Sequence, residues 1–352
     1  MKGFEFFYGP KVRSGAGESV RMAELLPPGR CLFVTDAGLV GLGLAEAPLA
    51  ALREAGVEPV VFDSVEADPS RATVEAAVEA GRGCGSVVGF GGGSPMDVAK
   101  LAAYLLGSGD DLDSIWGVGL AKGGRLPLVL VPTTAGTGSE ATPVTIITVG
   151  GSEKRGVSSA ALVADSAVLD PELTVGLPRG VTAATGIDAM VHAIEAYTSA
   201  HKKNPLSDLM AREALRLLSA NLPNAPVAGV HALAYPLGGH FHVPHGLSNA
   251  LMLVHVLGHN LHAAMHDYAE LGTLLDPALA QVGTQAQAQG FVELMAATCR
   301  AAGVPQRLSE VGVGEEHLDL LASEAMKQQR LLVNNPCEID EAAARRLYGA
   351  AL

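Results

Sequence analysis

The strongest constraint on the fold is an alternation of short apolar runs with helical segments in the first half of the chain. Continuous apolar runs stand at 31–35, 59–62, 86–90 and 128–131, and a helical pattern fills 71–80. Runs that are apolar at nearly every position are typical of strands buried on both faces. Strands that alternate with helices predict parallel βαβ units. The first half should therefore form a Rossmann-like α/β domain, with a parallel sheet covered by helices on both faces.

The pattern changes after Asp170, where almost every segment reads as helical. Pro178 directly precedes the first of these helices. A chain of 352 residues is also longer than one hydrophobic core usually supports. We therefore predict two domains, an α/β domain over residues 1–178 and an all-α domain over residues 179–352.

The composition disfavours several classes of function. A net charge of −13 would repel both nucleic acid and an anionic membrane surface. The N-terminal residues do not have the pattern of a targeting peptide, and no apolar run is long enough to span a bilayer. The four cysteines are scattered without a C-x-x-C pair, which disfavours disulfides and a cysteine-based zinc site. We expect a cytoplasmic protein that has no nucleic-acid partner and no membrane partner.

A glycine-rich turn links the predicted strand 86–90 to a helix that begins at Pro95. Three consecutive glycines, followed by Ser94, let the backbone come close to a phosphate group. The free N–H groups and the dipole at the start of the helix favour an anion at the same place. A glycine turn between a buried strand and a helix therefore predicts a phosphate-binding site.

A second loop, PTTAGTGSE, follows the predicted strand 128–131 and carries Thr133, Thr134 and Ser139. Alone, this loop could equally be a flexible turn whose hydroxyl groups cap the backbone. Two such loops at the carboxyl ends of strands in one sheet converge, however, on the crevice where open α/β sheets bind ligands. Their agreement favours a nucleotide.

Asp36 stands at the carboxyl end of the predicted strand 31–35. A carboxylate there can accept hydrogen bonds from the adenine ribose of NAD, and it would repel the extra phosphate of NADP. It could equally cap the helix that follows. The first alternative predicts NAD as the cofactor in preference to NADP.

Four side chains of the helical half have the composition of a metal site. Asp188 and His192 are four residues apart in a predicted helix over 181–199, so their side chains project from the same face of that helix. An Asp and a His at this spacing are more often a hydrogen-bonded pair at the surface than two metal ligands. This pair, however, lies among apolar residues, where an unpaired charge is costly. His231 and His245 could bring two further imidazoles from separate segments. Three nitrogens and one oxygen suit Fe²⁺ or Zn²⁺ with a position open for substrate, the alternative being buried hydrogen-bonded histidines.

Several motifs together resemble those of the iron-containing (group III) alcohol dehydrogenase family, in that family's order. They are GGGSPMDVAK, PTTAGTGSEATP, LDPELT, ATGIDAMVHAIEAYTS, and HALAYPLG followed by PHGLSNA. The resemblance covers the chain from about Tyr8 to the C-terminus. It implies the architecture that this family shares with dehydroquinate synthase, in which an α/β dinucleotide-binding domain precedes an all-α catalytic domain and the active site lies between them.

The resemblance also implies a role for each matching residue. The implied metal ligands are Asp188, His192, His231 and His245. The implied dinucleotide-binding residues are Asp36, Gly92, Gly93, Ser94, Thr133, Thr134, Ser139 and Lys154.

The implied activity is that of a metal-dependent NAD(H) oxidoreductase. Such an enzyme interconverts an alcohol and an aldehyde or ketone by hydride transfer, with Fe²⁺ or Zn²⁺ as a Lewis acid on the substrate oxygen. The implied partners are a small-molecule alcohol or aldehyde and further copies of the chain, in a dimer or a higher homo-oligomer.

One alternative to this activity is that of a metal-free reductase resembling maleylacetate reductase, which would need no Asp–His set. A lyase of the dehydroquinate synthase type lacks its motifs here, and a non-catalytic metal-binding protein would need neither nucleotide loop.

Two catalytic positions follow from the same resemblance. Tyr235 stands where many members of the family have a second histidine, four residues after His231. That histidine often helps to relay the proton of the alcohol, and the Tyr235 hydroxyl could replace it. His255 matches a family position close to the active site.

The connection 220–230 is shorter than the corresponding part of the family, which usually has room for a further helical hairpin. We expect that an internal segment is missing from this stretch, because the loss of a helix that supports His231 should loosen the metal site. An intact mass clearly above 36.0 kDa would support this expectation. A mass that matches the sequence would instead show a true deletion.

Overall fold

The computed structural model describes residues 3–4, 6, 9–150, 153–201, 203–221 and 229–352. The chain folds into two compact units, of which one is Phe7–Leu177 and the other contains Pro178–Leu352. The predicted connection 220–230 lies largely outside the described residues.

The first unit combines nine strands with four α-helices among the described residues. The strands are β1 (Lys11–Ser14), β2 (Gly29–Val34), β3 (Val57–Phe62), β4 (Ser86–Gly91), β5 (Gly117–Val118), β6 (Leu128–Pro132), β7 (Val144–Val149), β8 (Glu153–Ser158) and β9 (Ser166–Leu169). The α-helices are α1 (Ala37–Gly41), α2 (Glu46–Glu54), α3 (Arg71–Ala80) and α4 (Gly93–Ser108). Short 3₁₀ helices cover Glu18–Leu25, Leu112–Ser114, Ser139–Ala141, Ala160–Leu162 and Pro171–Thr174.

Six of these strands form one sheet in the order β1-β9-β6-β4-β2-β3, and all of its pairings are parallel. The other three strands form a smaller sheet in the order β5-β8-β7, in which β7 and β8 are antiparallel. The large sheet puts β6, β4 and β2 side by side, so their carboxyl ends lie at one edge. The loops that follow these three strands are therefore neighbours.

The strands of the large sheet are covered on both faces. Leu32 and Val34 of β2 belong to one buried cluster, whereas Cys31 and Phe33 belong to another. Because successive side chains of a strand point to opposite faces, these two clusters are the two sides of the sheet. The predicted parallel α/β sheet is confirmed, and burial on both faces explains why its strands are continuous apolar runs.

The second unit is helical throughout its described part. Its α-helices are α5 (Arg179–Thr198), α6 (Pro205–Asn221), α7 (Gly229–Phe241), α8 (His245–Asn260), α9 (Met265–Leu275), α10 (Thr284–Ala302), α11 (Leu318–Ala325), α12 (Gln329–Leu332) and α13 (Glu341–Ala351). Short 3₁₀ helices cover Pro277–Gln281, Leu308–Val311 and Glu315–His317. One hydrophobic cluster draws residues from nearly all of these helices. Among the described residues, no helix is both long and apolar enough to cross a membrane.

Helix α8 packs against both α5 and α7, and its approach to α5 is close. A Cβ atom placed on Gly246, at the start of α8, would lie 2.2 Å from the carbonyl oxygen of Ala184 and 2.6 Å from its carbon. These are backbone atoms, which cannot rotate away as a flexible side chain could. The packing of α8 on α5 therefore requires glycine at position 246.

Replacement of Gly246 by alanine should destabilise the helical unit, because α8 would have to move away from α5. We expect a loss of about 1–3 kcal/mol or more in the free energy of unfolding, as for other overpacked sites. Chemical denaturation followed by circular dichroism would measure it. Gly258→Ala is the matched control, since Gly258 is exposed near the end of α8 and has open space around its Cβ position. Equal stability of the two variants would contradict the close packing.

Candidate metal centre and dinucleotide site

Asp188, His231 and His245 form the metal-competent cluster of the helical unit. They come from α5, α7 and α8, and one ligand atom of each lies within 4.8 Å of the others. Within the described part of the chain, this is the one group of at least three such side chains that meets this spacing. The close packing of α8 on α5 brings His245, the residue before Gly246, to the level of Asp188.

The distances within this cluster fit ligands of a single ion. The Nε2 atoms of His231 and His245 are 3.1 Å apart, and they lie 3.5 Å and 3.6 Å from Oδ1 of Asp188. Nitrogen and oxygen ligands about 2.1 Å from a tetrahedral ion are about 3.4 Å apart. Two ring nitrogens 3.1 Å apart cannot both carry a proton, so at least one lone pair points at the space between them. The three side chains therefore fit a small divalent cation.

The charges of the cluster also suit a cation. Asp188 is 2% exposed and His231 is 5% exposed, whereas His245 is exposed. Burial alone would raise the pKa of Asp188, but the neighbouring His245 and His231 outweigh it and hold that pKa below its usual range. Burial lowers the pKa of His231 to about 3, which keeps its imidazole neutral near pH 7. An anionic oxygen and a neutral nitrogen are the forms that bind metals.

The fourth predicted ligand, His192, lies beside the cluster without belonging to it. Its ring centroid is 5.1 Å from that of His231, and its side chain is exposed. One turn of α5 separates it from Asp188 on the same face. The structure thus brings together three of the four predicted ligands and places the fourth next to them.

The two residues predicted to be catalytic have different positions. The Tyr235 ring centroid lies 5.7 Å from that of His245 and 6.1 Å from that of His231, and the Arg330 guanidinium is 3.4 Å from the Tyr235 hydroxyl. His255 follows His245 by ten residues in α8, which corresponds to about 15 Å along the helix axis. Tyr235 therefore adjoins the cluster, and His255 does not.

Two polar side chains that sequence reasoning missed surround the cluster. Asn249 is fully buried in α8, and its Nδ2 donates a 2.8 Å hydrogen bond to Oδ1 of Asp188 and lies 3.4 Å from Nε2 of His245. Glu195 places a carboxylate oxygen 3.7 Å from Nδ1 of His231, opposite the nitrogen that faces the cluster. Helical spacing could have indicated both, because Asn249 follows His245 by four residues and Glu195 follows Asp188 by seven.

Asn249→Ala should weaken metal binding, because the Asp188 carboxylate would lose the donor that orients it. Loss of such an outer hydrogen bond typically lowers metal affinity by about 10–100-fold. Titration of metal-free protein with Zn²⁺ against a chromophoric chelator would measure the change. Gln285→Ala, which removes an exposed amide side chain from α10, is the control. If both variants bound Zn²⁺ as tightly as the wild type, Asn249 would have no role in the site.

The predicted dinucleotide residues of the α/β unit gather at the carboxyl ends of β2, β4 and β6. Asp36 follows β2, and Gly92, Gly93 and Ser94 form the turn from β4 into α4. Thr133 and Thr134 follow β6, and pairing of Gly91 with Pro132 brings the two loops side by side. The structure therefore brings six of the eight predicted residues to one edge of the sheet.

The glycines of the turn between β4 and α4 allow a ligand to come close to the protein backbone. A Cβ atom on Gly92 would lie 3.5 Å from Oγ1 of Thr134, and one on Gly93 would lie 3.2 Å from Cγ2 of Thr137. The Thr134 hydroxyl is buried and has no hydrogen-bond partner among the described residues. Helix α4 begins here without a side-chain cap, so its first N–H groups can bind an anion. These features fit the pyrophosphate of a dinucleotide.

The remaining predicted residues are engaged within the protein. Asp36 caps α1, with its carboxylate accepting a 2.9 Å hydrogen bond from Leu39 N–H, which is the alternative role that the sequence left open. Lys154 in β8 forms a 2.6 Å ion pair with Asp68. Ser139 is buried, and its hydroxyl bonds Asp97 and Lys100.

Comparison with protein families gives matches over both units. The model described as "Iron-containing alcohol dehydrogenase" matches residues 9–171. The model described as "Fe-containing alcohol dehydrogenase family, C-terminal" matches residues 182–229 and 222–352. The second match is split at the short connection noted above.

Individual relatives cover nearly the whole chain. Long-chain-alcohol dehydrogenase 1 of Geobacillus thermodenitrificans is 37% identical, with 91% of this chain and 89% of that protein covered. The 1,3-propanediol dehydrogenase of Citrobacter freundii is 33% identical over 93% of this chain and 92% of its own length. Sulfoacetaldehyde reductase of Bilophila wadsworthia is 30% identical, with 93% of each chain covered.

Solved structures show the same architecture. A crystal structure of 1,3-propanediol oxidoreductase superposes with a TM-score of 0.94 at 30% identity, and the match covers 100% of both chains. An alcohol dehydrogenase from Oenococcus oeni gives a TM-score of 0.94 at 28% identity, with 99% of this chain and 100% of that chain covered. These matches confirm the predicted fold.

Proposed function

Because the chain belongs to the iron-containing alcohol dehydrogenase family, we propose that it oxidises an alcohol with NAD⁺ and reduces the corresponding aldehyde or ketone with NADH. The observation that carries this proposal is the convergence of Asp188, His231 and His245 on one point of the helical unit. The glycine turn and the hydroxyl-rich loop of the α/β unit supply the matching dinucleotide site. Both features are needed for metal-assisted hydride transfer.

Asp188, His192, His231 and His245 are the proposed ligands of a divalent ion. A carboxylate with three imidazoles suits both Fe²⁺ and Zn²⁺, and the name of the family favours Fe²⁺. When bound, the ion would act as a Lewis acid that lowers the pKa of the substrate hydroxyl, while NAD would accept the hydride. Asp188 would supply the one negative charge among these ligands, and Asn249 would orient its carboxylate.

The α/β unit would bind the dinucleotide through its backbone and its hydroxyl groups. The N–H groups of Gly93 and Ser94 at the start of α4 would bind the pyrophosphate, and the Thr134 hydroxyl would find a partner there. Thr133 would line the same cleft. Asp36 has one oxygen engaged in capping α1, which leaves its other oxygen for the adenine ribose.

Tyr235 is the proposed carrier of the alcohol proton, together with the cofactor ribose. Its ring adjoins those of His231 and His245, and its hydroxyl is close to the Arg330 guanidinium. We propose a supporting role for His255, which follows His245 by ten residues, or about 15 Å along the axis of α8.

The alternative functions would require different residues or give different products. A metal-free reductase would not need a buried carboxylate beside two imidazoles, so the cluster favours the metal-dependent dehydrogenase. A lyase of the dehydroquinate synthase type would not release NADH from simple alcohols. The substrate class is open to test because the relatives are named for long-chain alcohols, 1,3-propanediol and sulfoacetaldehyde.

Metal content and NAD⁺ reduction should rise and fall together. We expect about one iron or zinc per chain in anaerobically purified protein, loss of activity with a chelator, and recovery with Fe²⁺ or Zn²⁺. The assay would use primary alcohols of increasing length and 1,3-propanediol.

The Asp188→Ala variant should bind the metal more than about 100-fold less tightly, because the substitution removes the charged ligand. An active metal-free variant would refute this role, and NAD binding without hydride transfer would favour a metal-free reductase.

Asp36→Ser should relax the preference for NAD over NADP. Serine can still cap α1, but it removes the negative charge that would repel the extra phosphate. We expect the ratio of kcat/KM for NADP⁺ to that for NAD⁺ to rise by about tenfold or more, which corresponds to about 1.4 kcal/mol. Asp63→Ser, in the loop after β3, controls for the general change in charge. An unchanged ratio would leave Asp36 with its capping role alone.

A further inference from the structure

A buried charged network lies behind the glycine turn, outside every residue assigned above except Ser139. Lys100 in α4 is fully buried. Its ammonium donates to the Ser139 hydroxyl at 2.8 Å, to the Val144 carbonyl at 2.9 Å and to the Thr142 hydroxyl at 3.3 Å. All three donors of the ammonium group are therefore satisfied.

Asp97, one turn before Lys100, is the anionic member of this network. Its Oδ1 accepts a 2.6 Å hydrogen bond from the Ser139 hydroxyl and lies 3.7 Å from the Lys100 ammonium. Its Oδ2 accepts a 2.8 Å hydrogen bond from the N–H of Ile146. Burial raises the pKa of Asp97 and lowers that of Lys100, which opposes ionisation. Because both carboxylate oxygens accept hydrogen bonds and all three ammonium donors are used, we assign an ionised pair.

The network holds one end of the loop that would cover the pyrophosphate. At the other end, Thr133 N–H donates a 3.0 Å hydrogen bond to the carbonyl of Gly91. Between these ends, residues 134–138 have no regular secondary structure. The same residues provide the Thr134 and Thr137 side chains that stand over Gly92 and Gly93. The loop is therefore tied to β4 at its start and to α4 at its end.

We propose that Lys100 and Asp97 are positioning residues for the dinucleotide, and that they act through Ser139 to hold the loop 133–138 against the start of α4. This inference rests on the proposed function, because it assumes that NAD binds at the glycine turn. Ser139 then acts from behind the loop and does not contact the cofactor through its hydroxyl, whose donor and one acceptor site are already occupied.

Lys100 has a second, electrostatic role in this proposal. Asp97 lies five residues after Gly92, which is about 7.5 Å along the axis of α4. A lone buried carboxylate at that distance would oppose an anion at the start of the helix. The ammonium of Lys100 neutralises this charge, so the positive field at the N-terminus of α4 is left for the pyrophosphate.

The test compares Ser139→Ala and Lys100→Met with the exposed control Lys122→Met in the metal-loaded, full-length enzyme. Titration of NADH fluorescence at 25 °C gives the dissociation constant, a chelator competition gives the metal affinity, and thermal unfolding gives stability. We expect the NADH dissociation constant to rise about tenfold or more in both variants. Metal affinity should stay unchanged, and KM for NAD⁺ should rise more than kcat falls. The control should match the wild type.

A double variant separates the two roles of Lys100. Lys100→Met with Asp97→Asn removes both charges, and it should bind NADH more tightly than Lys100→Met alone. Equal binding would overturn the electrostatic role. If Lys100→Met fails to fold, Ser139→Ala still tests the loop, because it removes a single hydroxyl group.

The possible failures can be told apart. Wild-type protein that does not bind NADH would refute the proposed function. Wild-type binding with an unchanged dissociation constant in folded Ser139→Ala and Lys100→Met would overturn the inference alone, and it would make the network purely structural. A lower unfolding temperature without weaker NADH binding would have the same meaning.

Discussion

The buried carboxylate of Asp188 has only imidazoles and an amide around it, and these hold its pKa below the usual range without providing a fixed positive charge. Its neighbours are His231, His245 and the amide of Asn249, and no lysine or arginine of the described part of the chain forms an ion pair with it. Burying an ionised carboxylate without compensation is costly. A divalent cation would supply such a charge, and Asp188, His231 and His245 lie close enough together to bind it. The proposed metal site is therefore tied to the burial of one carboxylate.

Helix packing brings these side chains together. Asp188 is fixed in the middle of α5, and His245 must reach it from the first turn of α8. The absence of a side chain at Gly246 lets α8 rest directly on the backbone at Ala184, one turn before Asp188. Asn249, one turn further along α8, then reaches the same carboxylate. A glycine at one point of contact thus sets the position of His245, a proposed ligand, and of Asn249, which donates to the Asp188 carboxylate.

Much of this architecture could be predicted from sequence because it follows local rules. Strands that are buried on both faces are apolar at nearly every position, so runs such as 86–90 predicted the parallel sheet. The strand order was not predictable, because it depends on which β-strands pair, and pairing leaves no periodic signal. Asp188, His231 and His245 were predicted from spacing and from resemblance. Asn249 was missed although it follows His245 by one helical turn, because a single amide in a helix does not by itself indicate a site.

The role of Ser139 shows a second limit of sequence reasoning. A serine in a hydroxyl-rich loop was predicted to line the cofactor cleft, and the structure instead gives its hydroxyl two partners, Asp97 and Lys100. A lysine in an otherwise apolar helix face normally extends to solvent. Only the tertiary fold shows that Lys100 is buried and that β7 and the preceding loop provide its acceptors.

Each unit contains a carboxylate that is largely shielded from water, and the two carboxylates have different neighbours. In the α/β unit, Asp97, whose side chain is 15% exposed, has Lys100 from its own helix, so the protein compensates the charge itself. That solution leaves the start of α4 free to attract an anion, as a dinucleotide site requires. In the helical unit, the buried Asp188 has only imidazoles and an amide around it, so an added cation would supply the fixed positive charge. A lysine at that position would stabilise the carboxylate equally well, but it would occupy the point at which a metal could polarise a substrate. A buried carboxylate without a fixed positive partner is therefore the feature that best supports a metal site in the helical unit.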